Sequence, residues 1–219
     1  MIFVLYFSCS QDGKSDFNGY VPTPVTLEIP AVFEDRILPP VIPTNNPLTE
    51  EGIALGKKLF FDKRLSANNT QACADCHNPT LAFTDGRQYS LGIDDIEGVR
   101  NAMPLFNLAW NYDDRFFWDG RELSLESQTF DPITSPIEMH NTLQNVVQVL
   151  QEDAEYQLLF EQAFGTTPID SLKIGKAIAQ FERTLISANS KFDQYLLGES
   201  LLTNEELEGF NIFMDEERG

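Results

Sequence analysis

The segment QACADCHNP, residues 71–79, places two cysteines and a histidine within five positions, as Cys73-x-x-Cys76-His77. Residues of these types at this spacing serve three kinds of chemistry: a structural zinc site, a redox-active dithiol, and the covalent attachment of haem. Each of these places a different demand on the surrounding chain. The motif therefore limits the possible folds more than any other feature of the sequence.

The residues available to complete the site separate the three alternatives. A structural zinc site needs four ligands in tetrahedral geometry, and the cysteines and histidines of the whole chain are Cys9, Cys73, Cys76, His77 and His140. Adjacent Cys76 and His77 do not easily share one ion. A redox dithiol is typical of a βαβ unit, whereas the flanking sequence here is helical or loop-like. Haem attachment requires two thiols that add to the vinyl groups and a following imidazole that binds iron, so the motif favours haem.

The charge of the chain limits its partners. Thirty-four acidic and 15 basic residues give a formal charge of −19, which argues against binding to nucleic acid or to anionic membranes. The acidic surface would attract a basic protein partner, or it serves solubility alone. With 219 residues, of which 42% are apolar, the chain is long enough for one large domain or two small ones.

From Leu48 onward the apolar residues recur at helical spacing. Residues 48–63 begin with Thr49 as a predicted N-cap, and residues 154–165 end at Gly165, which is a typical helix terminator. Residues 141–153 and 170–187 show the same periodicity. Glycine, proline, asparagine and aspartate are frequent between Cys73 and Met139 and periodicity is weak there, which predicts long loops around a functional site. No segment alternates like a strand, so the sequence predicts an all-α fold.

An internal similarity links two of these helices. The pattern Gly56-x-x-Leu-Phe-Phe-Asp62 recurs as Gly209-x-x-Ile-Phe-Met-Asp215, each time after a Leu-Thr pair and acidic residues. If the similarity is a true repeat, a second Cys-x-x-Cys-His would follow Gly219. We therefore expect residues 201–219 to begin a second, truncated haem domain.

The first 47 residues differ in composition from the rest. Residues 1–9, MIFVLYFSC, are too short to span a bilayer and resemble the end of a secretory or lipoprotein signal, although the basic region that normally precedes it is absent. Cys9, which follows a small residue, is a candidate for a lipid anchor. Residues 10–47 are polar and then proline-rich, which predicts a tether and an extended strap. We expect an exported, periplasmic protein whose haem domain spans residues 48–200.

The sixth coordination position of the iron decides between two functions. If Met139 or His140 fills it, the domain only transfers electrons, and if it is open, peroxide or another small ligand can bind there. Glu138 lies beside both residues and could move protons over the iron. The spacing leaves these alternatives open.

Four stretches resemble, in order and spacing, the bacterial di-haem cytochrome c peroxidases and their MauG-type relatives. They are CADCHNPTLAFTDGRQYSLG, GVRNAMPLFNLAWN, FFWDGRELSLESQTFDPI and PIEM, and the similarity extends from about Leu48 to Gly219. The resemblance implies two cytochrome c-like helical domains, each with one covalent haem c. This chain would carry the N-terminal, peroxidatic domain, with Cys73 and Cys76 attaching the haem and His77 on the iron, and the opening helix of the second.

The resemblance also implies roles for residues outside the motif. Glu138 matches the distal acid–base that helps to split the O–O bond, and Gln128 matches a pocket residue near it. Trp118 matches the aromatic residue through which electrons cross between the two haems. Asn101 matches a ligand of an inter-domain calcium ion whose other protein ligands lie in the second domain. Many members carry a histidine that blocks the resting haem, where this chain has Ile93, so the resemblance implies a haem open to ligands from the start.

The implied reaction is the reduction of hydrogen peroxide to water. The electrons would come from a small redox protein, either a cytochrome c or a copper protein, and the full-length protein would be a homodimer. Two alternatives fit the same residues: a MauG-type oxidase that acts on a protein substrate, and a mono-haem electron-transfer cytochrome. Without the second haem, this chain is not expected to complete a peroxidase cycle on its own.

Overall fold

The computed structural model describes residues 20–165 and 168–215. Its α-helices are α1 Glu50–Phe60, α2 Cys73–Cys76, α3 Leu125–Gln128, α4 Phe130–Thr134, α5 Leu143–Gln151, α6 Ala154–Phe164, α7 Ser171–Arg183, α8 Lys191–Leu196 and α9 Asn204–Phe213. Single 3₁₀ turns lie at Lys63–Leu65, Pro79–Leu81, Ile93–Asp95 and Leu108–Trp110. Within these ranges there are isolated β-bridges but no β-strand. The prediction of an all-α fold is confirmed.

The crossing of α1 and α7 forms the centre of the domain. The two helices approach so closely that a Cβ atom added at Gly56 would lie 1.9 Å from the carbonyl oxygen of Ala177. The rings of Phe60 and Phe181 meet edge to face with their centroids 5.3 Å apart, a favourable arrangement for aromatic rings. Helices α5 and α6 add Val146, Leu150, Tyr156 and Phe160 to the same core. Glycine at position 56 is therefore what permits the helices to cross at this distance.

The helix ends follow the predicted capping residues in most places. The Thr49 hydroxyl accepts a hydrogen bond from the Gly52 N–H at 3.0 Å, which satisfies one of the free donors of the first turn. Gly165 ends α6 with a positive φ of 78°, which favours glycine. Helix α7 ends at Arg183, so it is shorter than the segment 170–187 over which the sequence shows helical periodicity. The Leu185 carbonyl instead accepts a hydrogen bond from the Asn107 N–H at 2.8 Å.

Residues 20–47 run along the surface of the helical domain and bond to it at several points. The Val25 N–H donates to the Leu48 carbonyl at 2.9 Å, and the Val41 N–H donates to the Ala109 carbonyl at 2.7 Å. The buried side chain of Asn46 donates to Glu126 at 2.6 Å and accepts from Gln180 at 2.9 Å. These contacts hold the segment against α3 and α7. The predicted signal remnant at residues 1–9, Cys9, and the part of the tether up to residue 19 lie outside the described residues.

Helices α8 and α9 contact each other through aromatic rings and one ion pair. The ring of Phe210 contacts those of Phe192 and Tyr195, with centroids 5.2 and 6.5 Å apart, and Lys191 pairs with Glu206 at 2.5 Å. No residue of α9 is buried. Residues 216–219, the end of the segment predicted to open a second domain, lie outside the described ranges. None of the helices described is both long and apolar enough to cross a membrane.

Candidate functional site

The Cys-x-x-Cys-His motif forms a single helical turn, α2. The carboxylate of Asp75 accepts a hydrogen bond from the Ala72 N–H at 2.7 Å, and the His77 N–H donates to the Cys73 carbonyl at 2.9 Å. These bonds close the turn at both ends. As a result, Cys73, Cys76 and His77 line the same cavity.

The imidazole of His77 is held in a form that can bind a metal. Its Nδ1 lies 2.9 Å from the Phe83 carbonyl oxygen and 3.0 Å from that of Met103. Because both partners only accept hydrogen bonds, Nδ1 carries the proton and Nε2 keeps its lone pair. Burial lowers the pKa of His77, which keeps the ring neutral. A neutral imidazole fixed by a backbone carbonyl at its far nitrogen is the usual arrangement of a metal-binding histidine.

The two thiols do not resemble those of a redox switch or a zinc site. Burial raises the pKa of Cys73 to about 12 and that of Cys76 to about 11, whereas the cysteines of redox switches have lowered pKa values. Gln71 donates a hydrogen bond from Nε2 to the Cys76 sulfur at 3.2 Å. In the described residues no three histidine, cysteine or acidic side chains lie together as a metal site would require. The zinc and dithiol alternatives therefore have no structural support.

The cavity in front of α2 has a volume of about 500 Å³, within the range expected for a cofactor pocket. Its wall includes α2, the loops at residues 90–92 and 98–105, the segment 115–121, and parts of α3 and α7. Most of this wall comes from the long loops predicted between Cys73 and Met139. The loops thus surround a pocket that opens beside the motif.

Glu138 and Gln128, the two predicted pocket residues, both line this cavity. Burial raises the pKa of Glu138, although a hydrogen bond from Ser135 opposes the effect. The Glu138 carbonyl accepts a hydrogen bond from the Ile93 N–H at 2.7 Å, which ties the acidic residue to the neighbouring loop. Gln128 is 9% exposed. The structure therefore brings both residues to the cavity that contains the Cys-x-x-Cys-His motif.

Trp118 and Asn101 lie together at the rim of the cavity. The Trp118 indole N–H donates to the Asn101 carbonyl oxygen at 3.4 Å, and the Trp118 side chain is 59% exposed. The side chain of Asn101 is exposed as well. This exposure places Trp118 at the surface of the domain rather than in its core.

The two candidates for a sixth iron ligand differ in position. Met139 is 3% exposed and lines the cavity, whereas His140 is exposed and is not part of the cavity wall. His140 also has a positive φ of 49°, which belongs to the turn that follows Glu138. Ile93 is buried, and it too lies outside the cavity wall.

Sequence reasoning missed many residues of the cavity wall, among them Gln71, Ser90 and Glu182. Gln71 also donates to the Leu91 carbonyl at 2.9 Å, and thus joins the motif to the neighbouring loop. One signal could have revealed Glu182, because it lies four residues after Ile178 on the apolar face of a predicted helix. An acidic residue on such a face needs a partner or a function. Gln71 and Ser90 gave no comparable signal.

The site meets the requirements of a covalently bound haem. The two thiols, the neutral imidazole with its free Nε2 and the large adjoining cavity are the features that a cytochrome c-type haem domain requires. The buried hydroxyl oxygen of Ser90, in the same wall, has no hydrogen-bond partner within the protein, as expected where a bound group completes the site.

Comparison with known proteins gives the family. The di-haem cytochrome c peroxidase family matches residues 50–201, which is more than half of the chain, and the chain belongs to this family. Membership implies haem c as the cofactor. The match begins at the first residue of α1 and ends beyond α8.

Several characterised relatives are similar over most of this chain. The methylamine utilization protein MauG of Methylorubrum extorquens is 43% identical over 173 residues, which cover 78% of this chain and 48% of that protein. The cytochrome c551 peroxidase of Nitrosomonas europaea is 38% identical over 174 residues, which cover 79% of this chain and 50% of that protein. The chain thus spans about half the length of these relatives.

Solved structures support the same fold. A MauG-like protein associated with microbial copper homeostasis superposes with a TM-score of 0.77 at 35% identity, covering 88% of this chain and 55% of that protein. The dihaem peroxidase BthA of Burkholderia thailandensis superposes with a TM-score of 0.67 at 23% identity, covering 78% of this chain and 48% of that chain. At the lower identity the likeness concerns the fold alone.

Proposed function

We propose that the chain is the N-terminal, peroxidatic haem domain of a di-haem cytochrome c peroxidase, which reduces hydrogen peroxide to water with electrons from a small redox protein. The observation that carries the proposal is the position of Glu138, a partly buried residue in the wall of the cavity that contains Cys73, Cys76 and His77. When bound, the haem iron would supply a site for peroxide and the electrons that split its O–O bond. The protein side chains supply attachment, orientation and proton transfer.

His77 and the two cysteines fix the cofactor. The carbonyls of Phe83 and Met103 orient the imidazole through Nδ1, so that Nε2 can bind iron without rearrangement of the ring. Cys73 and Cys76 lie in one turn of α2 and would hold the haem through two thioether bonds. This attachment keeps the cofactor in place through both oxidation states.

Glu138 would move the proton that peroxide reduction requires. Burial raises its pKa, which brings the carboxyl closer to the pH at which an acid–base group works best. The carboxyl can then accept a proton from one peroxide oxygen and return it to the other, which leaves as water. Gln128, in the same cavity wall, offers an amide that can hydrogen-bond to the substrate.

Trp118 is proposed to carry electrons into the domain. Its exposed ring at the cavity rim would face the second haem domain of the full-length protein. Asn101 is bonded to it through its carbonyl oxygen and is proposed as a ligand of the calcium ion between the domains. We propose further that the full-length protein is exported and dimeric, with a cytochrome c or a copper protein as the electron donor.

The substitution Glu138→Gln in the full-length protein tests the acid–base role. We expect peroxide turnover to fall by roughly 10²–10⁴-fold, the usual contribution of a general acid–base group, while haem content stays normal. Glu155→Gln serves as the control because Glu155 is a carboxylate on the surface. Unchanged turnover in Glu138→Gln would remove this residue from the mechanism.

A MauG-type oxidase acting on a protein is the second candidate, since a protein of that name is 43% identical over the matched region. Steady oxidation of a reduced cytochrome c or copper protein by peroxide would support the peroxidase. Consumption of peroxide without oxidation of either donor would support the oxidase.

The optical spectrum tests the third alternative, an electron-transfer cytochrome. Met139 lines the cavity, while His140 does not, and Ile93 offers no ligand atom. We expect a high-spin spectrum for the ferric domain, because the sixth position is proposed to be open. A low-spin spectrum that Met139→Leu converts to high spin would instead support an electron-transfer function.

A further inference from the structure

Within the described residues, Glu182 is the one ionisable residue that has a buried side-chain atom without a hydrogen-bond partner. Three buried side-chain atoms there have no hydrogen-bond partner: Ser90 Oγ, Trp110 Nε1 and Glu182 Oε2. Ser90 and Glu182 both line the cavity, and Trp110 does not. Buried polar groups are normally satisfied, so an orphaned carboxyl oxygen in a cavity wall needs an explanation.

The adjacent cation does not neutralise Glu182. Arg183 donates from its two terminal nitrogens to the two oxygens of Glu126, at 2.7 and 3.2 Å. The charges of Arg183 and Glu126 therefore largely offset each other. Glu182 is 4% exposed, and a charge buried without a partner is costly. Burial raises the pKa of Glu182 to about 8, although Arg183 opposes the effect.

The surroundings of Glu182 contain few other groups that titrate near neutral pH. Arg183 lies on the same helix and Glu126 on α3, and Cys73 on α2 would be consumed by haem attachment. Burial and then the charge of Glu182 raise the pKa of the Cys73 thiol, so that charge is felt at the point where the haem is attached. The cavity wall also contains the acidic residues Glu138 and Asp119, and its cationic residues are Arg100, Arg115 and Arg121. A change of charge in the cavity should therefore act on Glu182 in return.

We propose that Glu182 couples reduction of the haem in this cavity to the uptake of a proton. The donor protein gives one electron to the haem iron, and the ionised carboxylate of Glu182 takes one proton from solvent. When the electron leaves, the carboxyl releases that proton. The proposal rests on the proposed function only in requiring a redox-active haem, and no step of it involves peroxide.

The direction of the effect follows from the charges. An added electron makes the cavity more negative, which disfavours the ionised carboxylate and favours its protonated form. The reduction potential of the haem should therefore fall as pH rises through the range in which Glu182 loses its proton. For one proton per electron, the fall is about 59 mV per pH unit, equivalent to a tenfold change in the equilibrium constant.

The test is a redox titration of the haem-loaded protein from about pH 6 to about pH 10, a range that brackets the pKa of about 8. We expect the equilibrium constant for reduction to change by up to tenfold per pH unit in the unaltered protein. In Glu182→Gln it should change by less than about twofold per pH unit. The matched control is Glu152→Gln on the surface, which should keep the full dependence.

Two outcomes would overturn the proposal. One is an unchanged pH dependence in Glu182→Gln, and the other is loss of the dependence in Glu138→Gln but not in Glu182→Gln. An infrared difference spectrum of the unaltered protein provides a check that needs no variant. A protonated-carboxyl band should grow on reduction near pH 8, the pKa of Glu182, and its absence would also overturn the proposal. Neither the redox titration nor the infrared measurement uses peroxide, so a negative result in them does not bear on the peroxidase proposal, which is tested by peroxide turnover.

Discussion

Helices α1 and α9 carry the same sequence pattern but lie in opposite environments. In α1, Gly56, Leu59 and Phe60 are buried against the rest of the domain. In α9 no residue is buried, and Phe213 is 80% exposed. A Cβ atom added at Gly56 would collide with α7, whereas one added at Gly209 meets no atom of another element within 4 Å.

The contrast shows what the shared pattern specifies. Glycine inside a helix costs about 0.5–1 kcal/mol relative to alanine, so its presence needs a compensating contact. In α1 the contact is the close crossing with α7. No such crossing exists for α9 among the described residues. The pattern therefore specifies a helix suited to close packing, and we propose that a second haem domain supplies the partner of α9.

The substitution Gly56→Ala should disrupt the packing of α1 against α7 and have the largest effect on stability. The new methyl group would lie 1.9 Å from the Ala177 carbonyl oxygen, so α1 and α7 would have to separate. We expect the free energy of unfolding to fall by about 3 kcal/mol or more, measured by urea denaturation. Gly209→Ala is the matched control and should raise the stability of α9 by about 0.5–1 kcal/mol. A loss within about 0.5 kcal/mol for Gly56→Ala would contradict the crossing geometry.

The same pair of variants sharpens the proposal of a second domain. In the full-length protein, α9 would cross a helix of that domain as α1 crosses α7. We then expect Gly209→Ala to destabilise the protein instead of stabilising it. A stabilising effect in both contexts would argue against the proposed repeat.

A second way to disturb the environment of α1 is to weaken the attachment of α7, the helix that it crosses. An ion pair between Arg183 on α7 and Glu126 on α3 anchors α7. Burial alone would raise the pKa of Glu126, but the Arg183 guanidinium outweighs it and holds the pKa below its ordinary value of 4.5. The Arg183 side chain is 6% exposed and that of Glu126 is 19% exposed. We expect Glu126→Gln to cost about 2 kcal/mol of stability at neutral pH, since it leaves a buried arginine without its counter-charge.

The pH dependence of this cost identifies its origin. A carboxyl with a lowered pKa stabilises the fold above its unfolded pKa, and that contribution disappears as pH falls through the folded pKa. The difference between Glu126→Gln and the unaltered protein should therefore shrink below about pH 4. Glu155→Gln, which removes a surface pair with Lys58, should cost less than about 1 kcal/mol. Equal losses in both variants would show that the pair with Arg183 has no special role.

The helices and the attachment motif could be predicted from sequence, but most of the cavity wall could not. Periodicity reports which face of a helix is buried, and it correctly located α1, α5, α6 and most of α7. The short helices α3 and α4 were missed because one turn is too short to show a period. The cavity wall is held by backbone hydrogen bonds, such as the one that the Ile93 N–H donates to the Glu138 carbonyl. Because any residue type can make such a bond, the sequence does not reveal it. Glu138 was already a candidate from its position beside Met139 and His140, whereas Gln128 was found through family resemblance alone.

The smallest expected effect comes from removing the N-cap of each helix. A threonine has this role in both α1 and α9. Thr49 caps α1 by accepting from the Gly52 N–H at 3.0 Å, and Thr203 caps α9 by accepting from the Glu206 N–H at 3.3 Å. Thr49→Ala should lower the free energy of unfolding by about 1 kcal/mol, the usual cost of a lost N-cap, because α1 cannot unfold without the core.

Thr203→Ala removes the matching cap from a helix with no buried residue. It should speed amide hydrogen exchange in the first turn of α9 while the global unfolding free energy changes by less than about 0.3 kcal/mol, because a weakly attached helix can open without the rest of the domain. Equal global losses for the two variants would mean that α9 unfolds together with the α1–α7 core. Helices α1 and α9 would then differ in surface exposure alone, and not in whether they unfold together with the core.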